Sequence, residues 1–495
     1  MKLRVTGINP YYVQTLCMIF FPGEKYIEEG NDEDGCMEVS VRTDATEAVA
    51  HAVLTRGGKR AESARTVARR EDLTEERTAK IAVGHVVLAT AGELMHYRPS
   101  WGMLTGVRPS KVATDLLLRG ISKTRVRRLL ASDYMVIPKK AALATDVALY
   151  EQRIIGTPDK RDCSVYISIP FCPTRCSYCS FVSYTSKRLL SLIPDYLPLL
   201  EREIREKFAL IREMGLRVHT VYIGGGTPTI LTADQLRSLL STIGESTDVP
   251  ALKEFTLESG RPDTIDAEKM AIAKSYGVTR VCVNPQTLCD GVLQAIGRCH
   301  TVADFYRAYD IAKNSGIQCI NTDLIVGLPG DDFGTFSATI KEILRLAPQN
   351  ITVHTFCVKR AAEILRQGNQ VYNLRGGDAG KCVDYSQLCA AEAGYVPYYM
   401  YRQKNMVGNF ENVGFAKEGT EGLYNIYMME EVHSIFAAGA GAVTKLVAYE
   451  PPLSGKKSVI RRIANPKYPY EYLAGDAGQG QLDQILAFYR EQGLI

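Results

Sequence analysis

At 495 residues the chain is long enough for two or three domains, and 46% hydrophobic with 23% charged residues is a globular composition. A formal net charge of +4 is too small for this length to imply nucleic acid, and no apolar stretch approaches the ~20 residues that span a bilayer. Thirteen cysteines, odd in number and without a paired framework, argue against a disulfide scaffold and for a reducing compartment with free or metal-bound thiols.

Taken in chain order, residues 1–155 show no strand–helix alternation and form an N-terminal accessory domain, helical in its second half. The apolar run Leu16–Phe21 is too short for a signal peptide, so a cytoplasmic protein is expected. Helical periodicity runs from about Glu75 to Met95. Short helices follow near Val112–Leu118, Lys123–Ala131 and Lys139–Ile155, with Gly120 as a stop and Ser122 as an N-cap. This stretch is basic: Arg108, Lys111, Arg119, Lys123, Arg125, Arg127, Arg128, Lys139 and Lys140 stand against Asp115 and Asp133. It reads as a solvated helical face or as an anion site.

Residues 160–360 alternate between strand and helix. Apolar runs at Val165–Ile169, Thr220–Ile223, Phe255–Leu257, Arg280–Val283, Ile320–Val326 and Ile351–Thr355 are separated by helical segments. These are Tyr196–Met214, Ala233–Ile243, Asp266–Tyr276, Ala303–Asn314 and Phe333–Leu346. Such alternation predicts parallel strands with right-handed crossovers. Six steps suit an open partial (β/α)6 barrel. In parallel barrels functional groups gather at the C-terminal ends of the strands. Three cysteines follow the first strand here, and Gly224-Gly225-Gly226-Thr227-Pro228 follow the second. Glu258 ends the third, Gln286 follows the fourth, Asp323 lies in the fifth and His354 near the end of the sixth.

Residues 375–495 are expected to be a third, substrate-covering unit. It has a helix near Lys381–Ala393 and another over Glu430–Leu446, broken by small residues from Ala437 to Ala442. The fold class is therefore α/β: a partial (β/α)6 barrel with an N-terminal α+β domain and a C-terminal mixed α/β extension.

The run Cys172-Pro-Thr-Arg-Cys176-Ser-Tyr-Cys179 carries the chemistry. Three thiolates can hold three irons of a [4Fe–4S] cluster, and the next cysteine is Cys282, so one iron stays open. Zinc would want four ligands, usually as two pairs, and no second pair is present. The cysteines from Cys282 to Cys389 contain no CxxC spacing and read as structural. His300, His354 and His433 are isolated in the sequence and offer no axial-ligand set for haem.

This spacing, with Tyr178 before the last cysteine, resembles that of the radical S-adenosylmethionine (SAM) enzymes. More specifically, Ile-Pro-Phe-Cys172, Tyr222–Thr229, Glu258–Thr264, Asn284-Pro-Gln286, Ile296–Thr301 and Asp323–Pro329 occur in order. Together they resemble the oxygen-independent coproporphyrinogen III oxidase family. Trp101–Pro109, Val396–Asn405 and Gly408–Gly414 look like its Gram-positive branch, which has an extra N-terminal domain.

The resemblance implies a [4Fe–4S] cluster on Cys172, Cys176 and Cys179, with SAM on its open iron. Gly224, Gly225, Gly226, Thr227, Pro228 and Glu258 would then face the SAM amino group. Arg298 would pair its carboxylate, and Gln286 and Asp323 would bond its ribose. The alternative for each is a structural salt bridge or strand-end hydrogen bond. The motif calls for one SAM and leaves a second open. The implied reaction is radical oxidative decarboxylation of two propionates of coproporphyrinogen III to vinyl groups in haem biosynthesis, fed by a flavodoxin- or ferredoxin-type electron donor.

A polyanionic tetrapyrrole would suit a basic rim, for which Arg261, Lys359, Arg360, Arg402 and Lys404 are candidates. Two features depart from the best-known members. Phe181 stands where they have a fourth cysteine, and no Tyr-Thr-Ser-Tyr-Pro run precedes the cysteines. Phenylalanine at that position also occurs in the haem-chaperone relatives. A haem-binding or haem-delivering protein with a retained cluster therefore stays open, as does a radical SAM enzyme acting on haem or another tetrapyrrole.

Overall fold

The computed structural model describes residues 1–27, 35–106, 108–179, 183–357, 377–403, 406–451, 454, 456–475 and 479–495. The chain divides into two compact units. One holds the described residues of 1–149 with 377–380 and the described part of 400–411. The other holds the described residues of 150–357, 381–399 and 412–495.

The first unit is α+β. Strands β1 (Lys2–Thr6), β2 (Cys36–Thr43), β3 (Glu47–Arg56) and β4 (Lys59–Ala68) form one sheet in that order, β1–β2 parallel and the rest antiparallel. Along β3 every second side chain is buried (Ala48, Ala50, Ala52, Leu54), the period-2 pattern of a strand with one face on the core. Helix Glu75–Met95 supplies the other side of that core through Ile81, Ala82, Val83, Val86 and Val87. Thr74 caps it by accepting from the Arg77 N–H, and Glu75 and Glu76 favour its positive end. Helices Ser110–Leu118, Lys123–Ser132 and Pro138–Ile155 follow close to their expected positions.

The basic stretch is not one solvated face. Lys123 and Arg127 pair with Asp146 at 2.7 and 2.8 Å. Lys140 is fully buried, with its Nζ 2.5 Å from Glu411 Oε1. Trp101 Nε1 donates to the other oxygen of Glu411 at 2.7 Å. Arg402, also buried, lies over the Trp101 ring and donates to the carbonyls of Leu104 and Asn409. Burial lowers its pKa to about 10, against the pull of Glu411. Arg402 was a candidate for a substrate-binding rim, but its burial and backbone bonds make it an internal anchor instead.

Among the described residues the second unit is built on a sheet of eleven strands. After β5 (Asp162–Ile169), β6 (Arg217–Gly225), β7 (Glu254–Leu257), β8 (Arg280–Cys282), β9 (Cys319–Val326) and β10 (Asn350–Thr355) come β11 (Val396–Tyr401) and β12 (Asn412–Ala416). Then follow β13 (Ser434–Ala438), β14 (Val443–Ala448) and β15 (Val459–Ala464). The order is β11-β12-β10-β9-β8-β7-β6-β5-β13-β14-β15. Strands β5 to β10 are parallel neighbours in chain order, as the βα alternation requires. Nearly every residue of β5 and β7 is buried, the mark of strands covered on both faces. Crossover helices Ala233–Ser246, Val302–Asn314 and Phe333–Leu346 each start with a capping box (Thr232/Gln235, Thr301/Asp304, Asp332/Thr335).

Two expectations for the C-terminal part are corrected. Residues 381–399 and 412–495 are not a separate unit; they extend the core sheet at both edges. Glu430–Leu446 is not a helix. Its apolar runs are β13, parallel to β5, and β14, antiparallel to β13, because short continuous apolar runs carry no period that separates strand from helix. The small residues form the turn between them, with Gly439 and Gly441 at φ +96° and +71°.

That turn packs on a buried polar hub. Glu203 accepts from the Gly439 N–H (2.8 Å), Tyr472 OH (2.6 Å), Asn465 Nδ2 (2.9 Å) and Lys207 Nζ (2.6 Å). A Cβ at Gly439 would lie 2.5 Å from the Ser168 carbonyl oxygen, so the glycine marks a close approach to the end of β5. Among the described residues no helix is long and apolar enough to cross a membrane.

The Glu411 cluster makes a specific prediction. Glu411→Ala removes the carboxylate that faces the buried Lys140 ammonium and accepts from the Trp101 indole, and is expected to destabilise the first unit by about 3–5 kcal/mol. Trp101 is the only tryptophan of the chain and sits in the cluster. Its fluorescence during urea unfolding reads the change directly.

Candidate active site

The cysteine loop leaves β5 through Pro170 and Phe171 and is pinned from three sides. The Cys172 N–H donates to the Tyr184 carbonyl (3.1 Å) and the Ser177 N–H to the Ile296 carbonyl (3.0 Å). The Phe171 carbonyl accepts from the Thr227 N–H at 2.7 Å. Cys172 and Cys176 are buried and Cys179 is half-buried. Burial pushes the Cys172 thiol up, and Cys179 and Cys176 add to this as neighbours. Opposing them, Thr227 Oγ1 lies 3.2 Å from Cys172 Sγ. Among the described residues no three His, Cys, Asp or Glu side chains converge as a ready cage for a single ion. A cubane offers each thiolate its own iron, so three thiols spread along one loop suit it.

The glycine loop after β6 lies directly against this segment. The β5–β6 register places Gly225 opposite Ile169, and the Gly226 N–H donates to the Ile169 carbonyl at 2.7 Å. A Cβ at Gly226 would fall 2.8 Å from the Phe171 carbonyl carbon, and Gly225 has φ +108°. The first task of these glycines is thus close packing on the cysteine loop. The N–H groups of Gly226 and Thr227 are already committed to it.

Around the same mouth lie the other sequence-selected residues. Tyr222 OH donates to Glu258 Oε2, while Asn284 Nδ2 bridges Glu258 Oε1 (3.3 Å) and Asp323 Oδ2 (3.0 Å). His354 Nε2 is 3.5 Å from the same Asp323 oxygen. Burial and then the Asp323 charge raise the Glu258 carboxyl above the ordinary range. Gln286 adopts φ +68°, with its N–H on the Asp323 carbonyl (3.1 Å) and its carbonyl accepting from the Ile325 N–H (2.9 Å). That backbone places Gln286 beside Asp323. Arg298 is buried and donates to the Gly260 carbonyl at 3.2 Å. Gln286 Oε1 and Arg298 Nε are buried without a hydrogen-bond partner. Unsatisfied buried groups on two residues chosen for ligand contact fit a polar ligand at this mouth.

Sequence reasoning missed several contributors. Asn284 ties Glu258 to Asp323, and Tyr166, Tyr222 and Tyr424 stack beside Glu258, the closest pair (Tyr222 and Tyr424) at 4.6 Å between centroids. Asn284 stood in the sequence next to Pro285-Gln286, whereas nothing in the sequence pairs Tyr424 with Tyr222. His300 is buried, with both ring nitrogens unpartnered and its pKa lowered to about 4 by burial and by Arg298. Arg261, a candidate rim residue, is also buried, and its guanidinium is engaged by Asp263, Thr174 and Cys176. Lys359, Arg360, Lys404 and Phe181 lie outside the described residues.

The family model of the radical SAM superfamily matches residues 166–343, which hold the cysteine loop and every residue of this mouth except His354 and Tyr424. The chain is 37% identical over 410 residues to the oxygen-independent coproporphyrinogen-III oxidase-like protein HemZ of Bacillus subtilis, covering 81% of this chain and 80% of that protein. It is 32% identical over 315 residues to the heme chaperone HemW of the same organism, covering 62% of this chain and 77% of the relative. Among solved structures, coproporphyrinogen III oxidase HemN from Escherichia coli superposes with a TM-score of 0.50 at 19% identity, over 68% of this chain and 72% of that one, a likeness of fold. The chain belongs to the radical SAM superfamily and, within it, to the family of oxygen-independent coproporphyrinogen-III oxidase-like proteins. That superfamily works with a [4Fe–4S] cluster and SAM.

Gly226→Ala is expected to push Phe171 off its position at a cost of about 1–3 kcal/mol, as overpacking does. Thermal unfolding gives the cost, and iron content after anaerobic reconstitution should fall with it.

Proposed function

We propose that the protein is a radical SAM oxidoreductase of the cytoplasm that converts two propionates of coproporphyrinogen III to vinyl groups, giving protoporphyrinogen IX. Each conversion removes one hydrogen atom and one carbon dioxide from a propionate and passes the surplus electron to an acceptor. A flavodoxin- or ferredoxin-type protein is the proposed electron donor. The observation that carries the reading is the shared mouth. The three cysteines, the glycine loop, Glu258, Gln286, Arg298 and Asp323 gather at the C-terminal ends of β5 to β9, in a chain that shares 37% identity with a coproporphyrinogen-III oxidase-like protein.

When bound, the cluster and SAM supply hydrogen-atom abstraction from an unactivated carbon, and the protein supplies binding, orientation and exclusion of water. Cys172, Cys176 and Cys179 would hold the cluster through their thiolates. Arg298, buried with Nε unpartnered, would take the SAM carboxylate, because a guanidinium matches that geometry. Glu258 would face the SAM ammonium, and Asn284 holds that carboxylate in place through Oε1. Gln286 and Asp323 would bond the ribose hydroxyls. The backbone of Gly224 to Pro228 would bound the pocket on the side of the cysteine loop.

A second reading is heme binding or delivery with a retained cluster, supported by 32% identity to a heme chaperone. One experiment separates them. The anaerobically reconstituted protein is given reductant, SAM and coproporphyrinogen III, and products are followed by mass spectrometry. Loss of two carboxyl groups with matching 5′-deoxyadenosine is the expected result. SAM cleavage without decarboxylation would move the substrate to heme or another tetrapyrrole, and stable heme binding without SAM cleavage would favour the chaperone.

Cys176→Ala is expected to abolish the iron–sulfur absorption while leaving the far-ultraviolet circular dichroism unchanged. Arg298→Ala should weaken SAM binding about ten- to hundredfold, the worth of one hydrogen bond to a charged group. Because burial and Asp323 keep Glu258 protonated to higher pH than usual, an ammonium placed beside it lowers its pKa again. In the pH range where Glu258 is still protonated, SAM binding should therefore release protons. Calorimetry in buffers of different ionisation enthalpy measures this, and Glu258→Gln should reduce the release.

A further inference from the structure

Arg261 has the surroundings of a residue that acts on the cluster site rather than on substrate. It lies in the segment Gly260-Arg261-Pro262-Asp263 beyond β7 and is only 5% exposed. One edge of its guanidinium is taken by Asp263, with Nε to Oδ1 at 3.1 Å and Nη2 to Oδ2 at 3.3 Å. The other edge meets the cysteine loop. Nη2 donates to Thr174 Oγ1 at 2.7 Å, and Nη1 donates to the Thr174 carbonyl at 3.5 Å and to Cys176 Sγ at 3.4 Å. All three nitrogens of the fork are engaged, so the side chain has little left to offer a carboxylate from solvent.

The sulfur contact is informative because a neutral thiol is a weak acceptor, whereas a thiolate is a strong one. Asp263 already supplies a full counter-charge for the guanidinium. A cation whose second edge is turned to a cysteine sulfur is placed for an anion there. Hydrogen bonds to cluster sulfurs and nearby charge are among the levers that set the reduction potential of iron–sulfur sites. One-electron reduction adds one negative charge to the cluster and its thiolates. A fixed positive donor stabilises the reduced form more than the oxidised one.

We propose that Arg261 is a positioning residue that, through its hydrogen bond to Cys176 and its lock on Thr174, makes the cluster easier to reduce. The proposal rests on Cys172, Cys176 and Cys179 being cluster ligands. The electron comes from an external one-electron reductant and is taken up by the cluster; no bond to Arg261 forms or breaks.

The test uses the full chain as wild type, Arg261→Gln and Arg261→Lys, each reconstituted anaerobically. Iron and sulfide content is measured first, and a redox titration with dithionite is then followed by electron paramagnetic resonance. At the wild-type midpoint, the reduced-to-oxidised ratio of Arg261→Gln should fall about tenfold, equivalent to about 59 mV for a one-electron couple. Arg261→Lys, which keeps the charge without the fork, should fall between the two. Wild-type midpoints in both cluster-loaded variants would overturn the proposal and leave Arg261 as a clamp on Thr174. If the glutamine variant takes up no cluster, the lysine variant decides alone: a lowered midpoint supports the proposal, an unchanged one rejects it. A wild-type chain that assembles no cluster would reject the ligand reading of the three cysteines and this proposal with it.

Discussion

Backbone hydrogen bonding between β5 and β6 in parallel register is the constraint on which the site depends. It sets Ile169 opposite Gly225, so two loops leave the sheet side by side at the same end. The Gly226 and Thr227 N–H groups then bond the carbonyls of Ile169 and Phe171, and the first cysteine follows one residue later. Any side chain at 226 would collide with Phe171. Neighbouring parallel strands carry Glu258, Gln286 and Asp323 to the same mouth, because every crossover returns the chain in the same direction.

Charge is distributed around that mouth in two groups. Near the cysteines lie the cations Arg261 and Arg298, with Asp263 as their anion, and Arg261 touches Cys176 Sγ. Deeper among the strand ends lie Glu258 and Asp323, joined by Asn284 and flanked by Tyr222 and His354. The first group favours negative charge on sulfur. The second favours a positive group, since two nearby carboxylates raise the cost of ionising both.

The first unit shows how buried charge can tie distant parts of a chain together. Glu411 answers both Lys140 and the Trp101 N–H, while Arg402 spends its donors on the carbonyls of Leu104 and Asn409. Buried ionic groups of this kind are costly to break singly, so they define a specific arrangement. Residues up to 310 positions apart in sequence are thereby held in one cluster.

The sequence by itself determined the class of chemistry and the parallel core. The CxxxCxxC spacing is local, and the alternation of apolar strands with amphipathic helices is periodic, so neither needs tertiary information. Helix Phe333–Leu346 was legible to the residue, as were the C-terminal ends of β7 and β9 at Leu257 and Val326. Tertiary structure alone decided what depends on neighbours far away in the chain. The stretch Glu430–Leu446 became β13 and β14 because the free edge of β5 accepts a parallel strand there, and no period in the sequence announces it. Arg261, Arg402 and Lys140 look like solvated charges in one dimension. Their partners lie 85, 298 and 271 positions away at Cys176, Leu104 and Glu411, and burial among those partners turned them into internal anchors.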